Sequence, residues 1–246
     1  MATVAVILPA AGKSTRFGGK DKKVFASLDG RAVWLRTAEM FVNRTDVIQT
    51  LLVVAPEDLE LVRAKYLAHM GLLGIEVVEG GPQRFDSVAN ALARVKAEAE
   101  LVAIHDAARP CVTASQIDAV FASAAKTGAA ILGVPARDTL KRADVSHRIE
   151  ATVPRSNIWL AQTPQVFRRE ALIHAYALRG SLTAEVTDDS QLVEASGFPV
   201  HLVAGSASNT KVTEPDDLAL AAAILKSRPA PKVPRAAHPF EDEAKW

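Results

Sequence analysis

Short apolar runs alternate with longer stretches of helical spacing along most of this chain, and that alternation leaves few folds open to it. Residues 4–8, 47–54, 75–78, 101–104 and 130–134 are rich in Val, Ile and Leu and have the length of strands. Between them, residues 32–42, 56–69, 85–97 and 114–126 read as helices: Val33, Leu35 and Phe41 fall on one helical face, Pro56 suits a first turn, and residues 85–97 are rich in Ala. A β-α-β-α order calls for parallel strands joined by crossover helices. It predicts an α/β fold, Rossmann-like and doubly wound, with a mostly parallel sheet covered on both faces.

The pattern changes after residue 136. Residues 137–152 are polar with scattered Val and Ile and no helical stripe, which predicts an extended hairpin projecting as a β-arm. Helical spacing returns at 167–178 and 188–195, followed by a strand at 200–203 and a last helix at 215–226. Residues 228–246 hold Pro229, Pro231, Pro234 and Pro239 among charges and read as a disordered or loosely attached tail. With no internal repeat and no linker, the expected organisation is one domain over 1–227, an arm at about 137–155 and the tail.

Composition narrows the function. The chain has 246 residues, 49% of them hydrophobic, enough for one large α/β core. A net charge of +1 gives no bulk attraction to nucleic acid. One cysteine, Cys111, excludes an internal disulfide and suits a reducing cytoplasm. No basic segment precedes the first apolar run, and that run is too short for a signal or a membrane span, so a cytoplasmic protein with no membrane partner is expected.

In a doubly wound sheet, ligands bind at the carboxyl ends of the strands. The first of these ends reads LPAAGKSTRFGGKDKKVF from Leu8 to Phe25, with Lys13, Arg16, Lys20, Lys22 and Lys23 inside it. Small residues let a backbone approach a polyphosphate, and free N–H groups and cations offset its charge. The loop is neither a G-x-x-x-x-G-K-[ST] phosphate loop nor a three-glycine dinucleotide fingerprint. Three more unusual strand ends follow: Gly80-Gly81-Pro82-Gln83-Arg84, His105-Asp106-Ala107-Ala108-Arg109-Pro110 and Pro135-Ala136-Arg137-Asp138-Thr139. Together they point to an enzyme acting on a nucleotide.

Arg16 and Lys23 are the candidate catalytic residues, because phosphoryl and nucleotidyl transfer build negative charge that fixed cations stabilise. Asp106 is either a ligand for Mg²⁺, which prefers a few protein oxygens plus substrate phosphates, or a turn cap. His105 reads as a supporting residue. Gly80-Gly81 makes a tight turn into a helix, where Ser87 either meets a base or is an ordinary first-turn residue.

Read in order, these motifs resemble the 2-C-methyl-D-erythritol 4-phosphate cytidylyltransferases of the non-mevalonate isoprenoid pathway. The resemblance runs from Val4 to about Leu225 and adds Gln162-Thr163-Pro164-Gln165, Thr187-Asp188-Asp189 and Lys211-Val212-Thr213 to the strand-end sequences. It implies that CTP and methylerythritol phosphate are the substrates and Mg²⁺ the cofactor. By motif position it implies that Arg16 and Lys23 stabilise the transition state. Ala10, Ala11, Gly12, Gly81, Ser87 and Asp106 would bind CTP, with Asp106 also holding the metal. Arg109, Thr139, Arg155, Thr163 and Lys211 would bind the second substrate. The family is a homodimer, so the arm would reach a partner, and Thr139 and Arg155 would complete the neighbouring site.

The chain departs from the family pattern around Lys23, where Lys22 and Val24 replace the usual proline and glutamine. Lys22 either competes with Lys23 or, lacking the proline ring, loosens the loop. Ser14 stands where glycine is common, and Pro82 where an acidic or polar residue is. The rival readings are a ribitol 5-phosphate cytidylyltransferase, which differs only in the acceptor pocket, a catalytically silent nucleotide-binding module, and a mononucleotide-binding reductase.

Overall fold

The computed structural model describes residues 1–18, 22–181 and 186–228. The chain opens with β1 (Val4–Pro9), makes a short hairpin of β2 (Ser27–Leu28) and β3 (Arg31–Ala32), and enters α1 (Val33–Val42). Next come β4 (Val47–Val54), α2 (Leu59–Leu73), β5 (Ile75–Glu79), α3 (Arg84–Leu92) and β6 (Leu101–Ile104). They are followed by α4 (Ala114–Thr127), β7 (Ala129–Pro135), β8 (Leu140–Ala143) and β9 (Ile149–Val153). The chain continues with β10 (Trp159–Arg168), α5 (Arg169–Ala177), α6 (Asp189–Ala195), β11 (His201–Ala204) and α7 (Asp216–Lys226).

Seven strands form the central sheet in the order β11-β7-β10-β6-β1-β4-β5. Every pairing is parallel except those of β10, which runs antiparallel to both β6 and β7. Alternate residues of β1 feed two cores. Val4, Val6 and Leu8 pack with Trp34 and Phe41 of α1 and Val120 of α4. Ala5 and Ile7 pack with Val88 of α3, Leu172 of α5 and Leu192 of α6. A strand covered on both faces has no use for polar alternation, so it reads as a continuous apolar run. Burying Phe41 completely stabilises the fold by roughly 1.5–3 kcal/mol. Local signals set helix ends. At α4, Thr113 and Gln116 form a reciprocal capping box (3.3 and 3.0 Å), and Gly128 closes the helix at φ +93°.

The expected mostly parallel α/β sheet is present, with shifts at several elements. The helix expected over 167–178 starts only at Arg169, because residues 159–168 form β10. Pro164 speaks against a central strand, but it sits at a register break between Ala161 and Gln165, where a proline is tolerated. The helix expected to reach residue 97 ends at Leu92. Gln49 of β4 takes over the backbone beyond it: its side chain accepts the Lys96 N–H (2.9 Å) and donates to the Arg94 carbonyl (3.0 Å). The helix expected from Pro56 begins as the 3-10 turn Pro56–Asp58, and α2 ends at Gly74 in the left-handed region.

Strands β8 and β9 pair only with each other and occupy the stretch expected to form the arm. Asp144 Oδ1 closes their turn by accepting from the N–H groups of Ser146 (2.9 Å) and Arg148 (3.1 Å), and Val145 and Ile149 are exposed nearby. The expected tail lies, from Pro229 on, outside the described residues.

Candidate active site

The chain order of the sheet reverses at β1: β4 and β5 lie on one side and β6 on the other. The carboxyl ends of these four strands surround a cleft of about 720 Å³. Ligands of open α/β sheets bind at such a reversal.

One wall is a turn that only glycine can make. A Cβ on Gly80 would stand 2.8 Å from Ala11 Cβ and 2.9 Å from Ser87 Oγ, and one on Gly81 would stand 2.3 Å from Asp86 Cβ. The buried Ser87 hydroxyl accepts the Gly81 N–H (3.1 Å) and donates to the Gln83 carbonyl (3.1 Å). Ser87 therefore clamps the turn and keeps one lone pair for a ligand. Gln83 and Asp86 close a capping box at the start of α3. Arg84 pairs with Asp189 at 2.6 Å, and Tyr176 donates to the same carboxylate at 2.6 Å, which ties the turn to α5 and α6.

The facing wall is the loop after β1. Ala10 N–H donates to the Val53 carbonyl at 2.7 Å, bringing Ala10, Ala11 and Gly12 to the cleft as small, close-approach residues. Ser14 adopts a left-handed φ of +54°, which is why glycine suits the position. Its Oγ accepts the Lys23 N–H at 3.3 Å. Lys23 itself lines the cleft. Burial and the neighbouring Lys211 and Arg16 pull its ammonium below the ordinary lysine value, while Asp106 pulls the other way.

Asp106 lies at the floor, with Lys211 Nζ 2.9 Å and Arg109 Nε 3.2 Å from its Oδ2. Burial alone would raise this carboxyl, but Lys211, Arg109 and Arg84 outweigh it and hold it well below the usual carboxylate range. Val212 N–H donates to the Ala108 carbonyl at 2.8 Å, which fixes the Lys211 loop against the Asp106 turn.

Behind Asp106 a closed circuit of hydrogen bonds sets its position. His105 Nε2 faces the Arg109 carbonyl at 3.1 Å, so that nitrogen carries the proton. Burial pushes the imidazole down to about 4, so it is neutral at pH 7 and Nδ1 accepts from the Thr163 hydroxyl at 3.0 Å. Thr163 Oγ1 in turn accepts the Asp106 N–H at 3.1 Å. Asn209, with no exposed surface, donates its side-chain amide N–H to the Thr163 carbonyl (2.9 Å) while its main-chain carbonyl accepts from Arg109 Nη1 (2.8 Å).

Of the residues expected at the site, Ala10, Ala11, Gly12, Lys23, Gly81, Ser87, Asp106 and Lys211 all line the cleft. Arg109 and Thr163 stand behind Asp106 rather than in the lining. Arg16 is exposed on the loop above, within electrostatic reach of Lys23. Thr139 and Arg155 are exposed on the arm side, outside the lining, where Arg155 donates to the Arg137 carbonyl. Sequence reasoning missed the end of β4, where Pro56 and Glu57 line the cleft, and it missed Asn209. The Pro56 turn follows an apolar strand and was legible as a strand end; Asn209 carries no signal in its neighbours.

Among the described residues, no group of three His, Cys, Asp or Glu side chains is gathered to hold a metal. Asp106 is the carboxylate at the floor of the cleft, and its Oδ2 is engaged by two cations. Its other oxygen, Oδ1, would be the one to join Mg²⁺, which takes one or two carboxylates and completes its shell with phosphates and water.

A Rossmann-like sheet with cations, a carboxylate and a glycine turn converging on one cleft at its carboxyl edge defines a nucleotidyl-transferring enzyme. The profile of the 2-C-methyl-D-erythritol 4-phosphate cytidylyltransferases matches residues 4–227. The chain is 46% identical over 236 residues to the Rhodopirellula baltica protein of that name, covering 91% of this chain and 95% of that one. It is 40% identical to the Solibacter usitatus protein, covering 92% and 97%. The Francisella tularensis enzyme of the same name superposes with a TM-score of 0.78 at 31% identity, covering 91% of this chain and all (100%) of the other. The chain belongs to the 2-C-methyl-D-erythritol 4-phosphate cytidylyltransferase family and is a nucleotidyltransferase.

Proposed function

We propose that this cleft joins CTP to 2-C-methyl-D-erythritol 4-phosphate. An oxygen of the methylerythritol phosphate attacks the α-phosphorus of CTP in line. The new P–O bond forms as the bond from the α-phosphorus to the α,β-bridging oxygen breaks. Pyrophosphate leaves with that electron pair, and 4-diphosphocytidyl-2-C-methyl-D-erythritol remains. No proton need be removed from an already ionised phosphate, so the residues act by placement and charge.

The Gly80-Gly81 turn and Ser87 hold the cytidine, and Ala10, Ala11 and Gly12 let the triphosphate lie close to the backbone. Lys23 and, once the loop closes, Arg16 neutralise charge that builds on the α-phosphate and the leaving group. Lys211 holds the acceptor phosphate, with Arg109 joining it by turning from Asp106 into the cleft, and Thr139 and Arg155 from the arm of a second copy complete the pocket. Asp106 would hold Mg²⁺ with triphosphate oxygens, and the ion, when bound, supplies positive charge to the phosphates. The exposed, self-paired hairpin supports a homodimer, because an isolated two-stranded hairpin is marginal in water. The single buried thiol of Cys111 supports a cytoplasmic setting. Among the described residues, no helix is long and apolar enough to cross a membrane.

The observation that carries this reading is Asp106 held against Lys211 at 2.9 Å in the same cleft as Lys23 and the glycine turn. The test is pyrophosphate release with CTP and Mg²⁺, comparing methylerythritol phosphate with ribitol 5-phosphate. Turnover is expected with the first alone; turnover with the second alone reassigns the acceptor.

A further inference from the structure

Lys22 does not stand free beside Lys23. Its Nζ lies 2.6 Å from Asp58 Oδ2 and 2.8 Å from Glu57 Oε1. Both acids belong to the Pro56–Asp58 turn after β4, whose Pro56 and Glu57 line the cleft. The contact therefore joins the loop that carries Lys23 to the rim beside it, at the end of the neighbouring strand β4. The Lys22 and Asp58 side chains are only 19% and 10% exposed, so this part of the network is shielded from water, unlike an ordinary surface pair. The rest of the segment is docked from the same side: Val24 is buried, and Phe25 stacks on Tyr66 of α2 at 6.3 Å.

Glu57 is a poor neighbour for a triphosphate unless its charge is offset, and Lys22 Nζ is the cation bonded to it. We propose that Lys22 is a positioning residue with two effects. It fixes the backbone that presents Lys23 to the triphosphate, and it neutralises Glu57 and Asp58 on the rim through which the nucleotide enters. This rests on the reading that Lys23 meets the CTP phosphates. It answers the question that Lys22 raises in the sequence, because an ammonium held by two carboxylates is not competing with Lys23 for the substrate.

The test is steady-state pyrophosphate release at varied CTP and saturating methylerythritol phosphate, for the wild type, K22M, K22R and E57Q/D58N. K22M is expected to lower kcat about 10-fold, as misplacement of a charge-stabilising group does. It is also expected to raise KM for CTP several-fold in a protein that still folds but melts several degrees lower, because Asp58 is left shielded without its cation. K22R restores both constants to within about twofold, since a guanidinium also reaches two carboxylates. E57Q/D58N lowers kcat as K22M does but leaves KM for CTP unraised, because the repelling charges are gone. A folded K22M with wild-type kcat and KM overturns the proposal. So does an E57Q/D58N enzyme with wild-type kcat beside an inactive K22M, which would place Lys22 on the triphosphate itself. A wild type that turns over no CTP is a different failure, that of the cytidylyltransferase reading.

Discussion

Thr163 gives its hydroxyl hydrogen to His105, 3.0 Å away, and takes the Asp106 N–H at 3.1 Å. A threonine has one such hydrogen, so none is left to donate to a substrate phosphate. Thr163→Val is therefore expected to act through Asp106. It should lower kcat by about 10-fold, within the usual cost of a misplaced site group, and leave KM for methylerythritol phosphate within about threefold. Thr163→Ser should retain most of the rate. A large rise in that KM with unchanged kcat would put Thr163 directly on the acceptor.

The same circuit predicts a pH window for stability. Burial holds His105 down at about 4, against an unfolded value near 6.5. Between those values the unfolded chain binds a proton that the folded chain does not. Stability is thus fully present above about 6.5 and declines as pH falls towards 4, by roughly 3 kcal/mol in all. Asp106, whose carboxyl is held low by Lys211 and Arg109 against burial, adds its own loss only below the ordinary carboxylate range. Urea melts from pH 8 to 4 should show the His105 slope, and His105→Gln should flatten it.

Removing the Lys23 ammonium takes away a charge aimed at the reacting phosphates. Lys23→Ala is expected to lower kcat by on the order of 10²-fold or more, as loss of one electrostatic donor does. Its melting temperature should barely change, because Lys23 makes no ion pair among the described residues. Stopped-time pyrophosphate assays with parallel thermal melts check both halves, and an undiminished kcat would remove Lys23 from the chemistry.

Gly80→Ala tests the cytidine wall. The added methyl would meet Ala11 Cβ at 2.8 Å, Ser87 Oγ at 2.9 Å and the Val54 carbonyl at 3.1 Å, two of them fixed by backbone or packing. Overpacking of this kind costs about 1–3 kcal/mol. The variant should melt lower and bind CTP more weakly, as calorimetric titration with CTP would show; unchanged affinity would mean that the turn does not shape the nucleotide pocket.

The parts of the fold that were legible are those where one residue's neighbours in sequence decide its state. β4 and β6 fall at the expected residues because a doubly covered strand is an unbroken apolar run. α4 falls within one residue of the expected 114–126, because Thr113, Gln116 and Gly128, which fix its ends, are its own neighbours in sequence. β10 was not legible: Gln162, Pro164 and Gln165 argue against a central strand, and only the antiparallel neighbours β6 and β7 and the register break at the proline make it one. The end of α3 was hidden for a similar reason, since the side chain that receives its backbone belongs to Gln49, far earlier in the chain.

The strand-end residues Ala10, Gly81 and Asp106 could be placed on one edge from the sequence, because parallel crossovers return every strand to the same direction. Which of them touch, and through what, was settled by packing. Lys211 meets Asp106 across more than a hundred residues, Asn209 joins Arg109 to Thr163, and Lys22 is drawn to Glu57 and Asp58. Periodicity and small-residue turns are local properties and survive in a string of letters. Long-range hydrogen bonds and the electrostatic balance of a buried carboxylate exist only once distant segments share a space from which water is excluded.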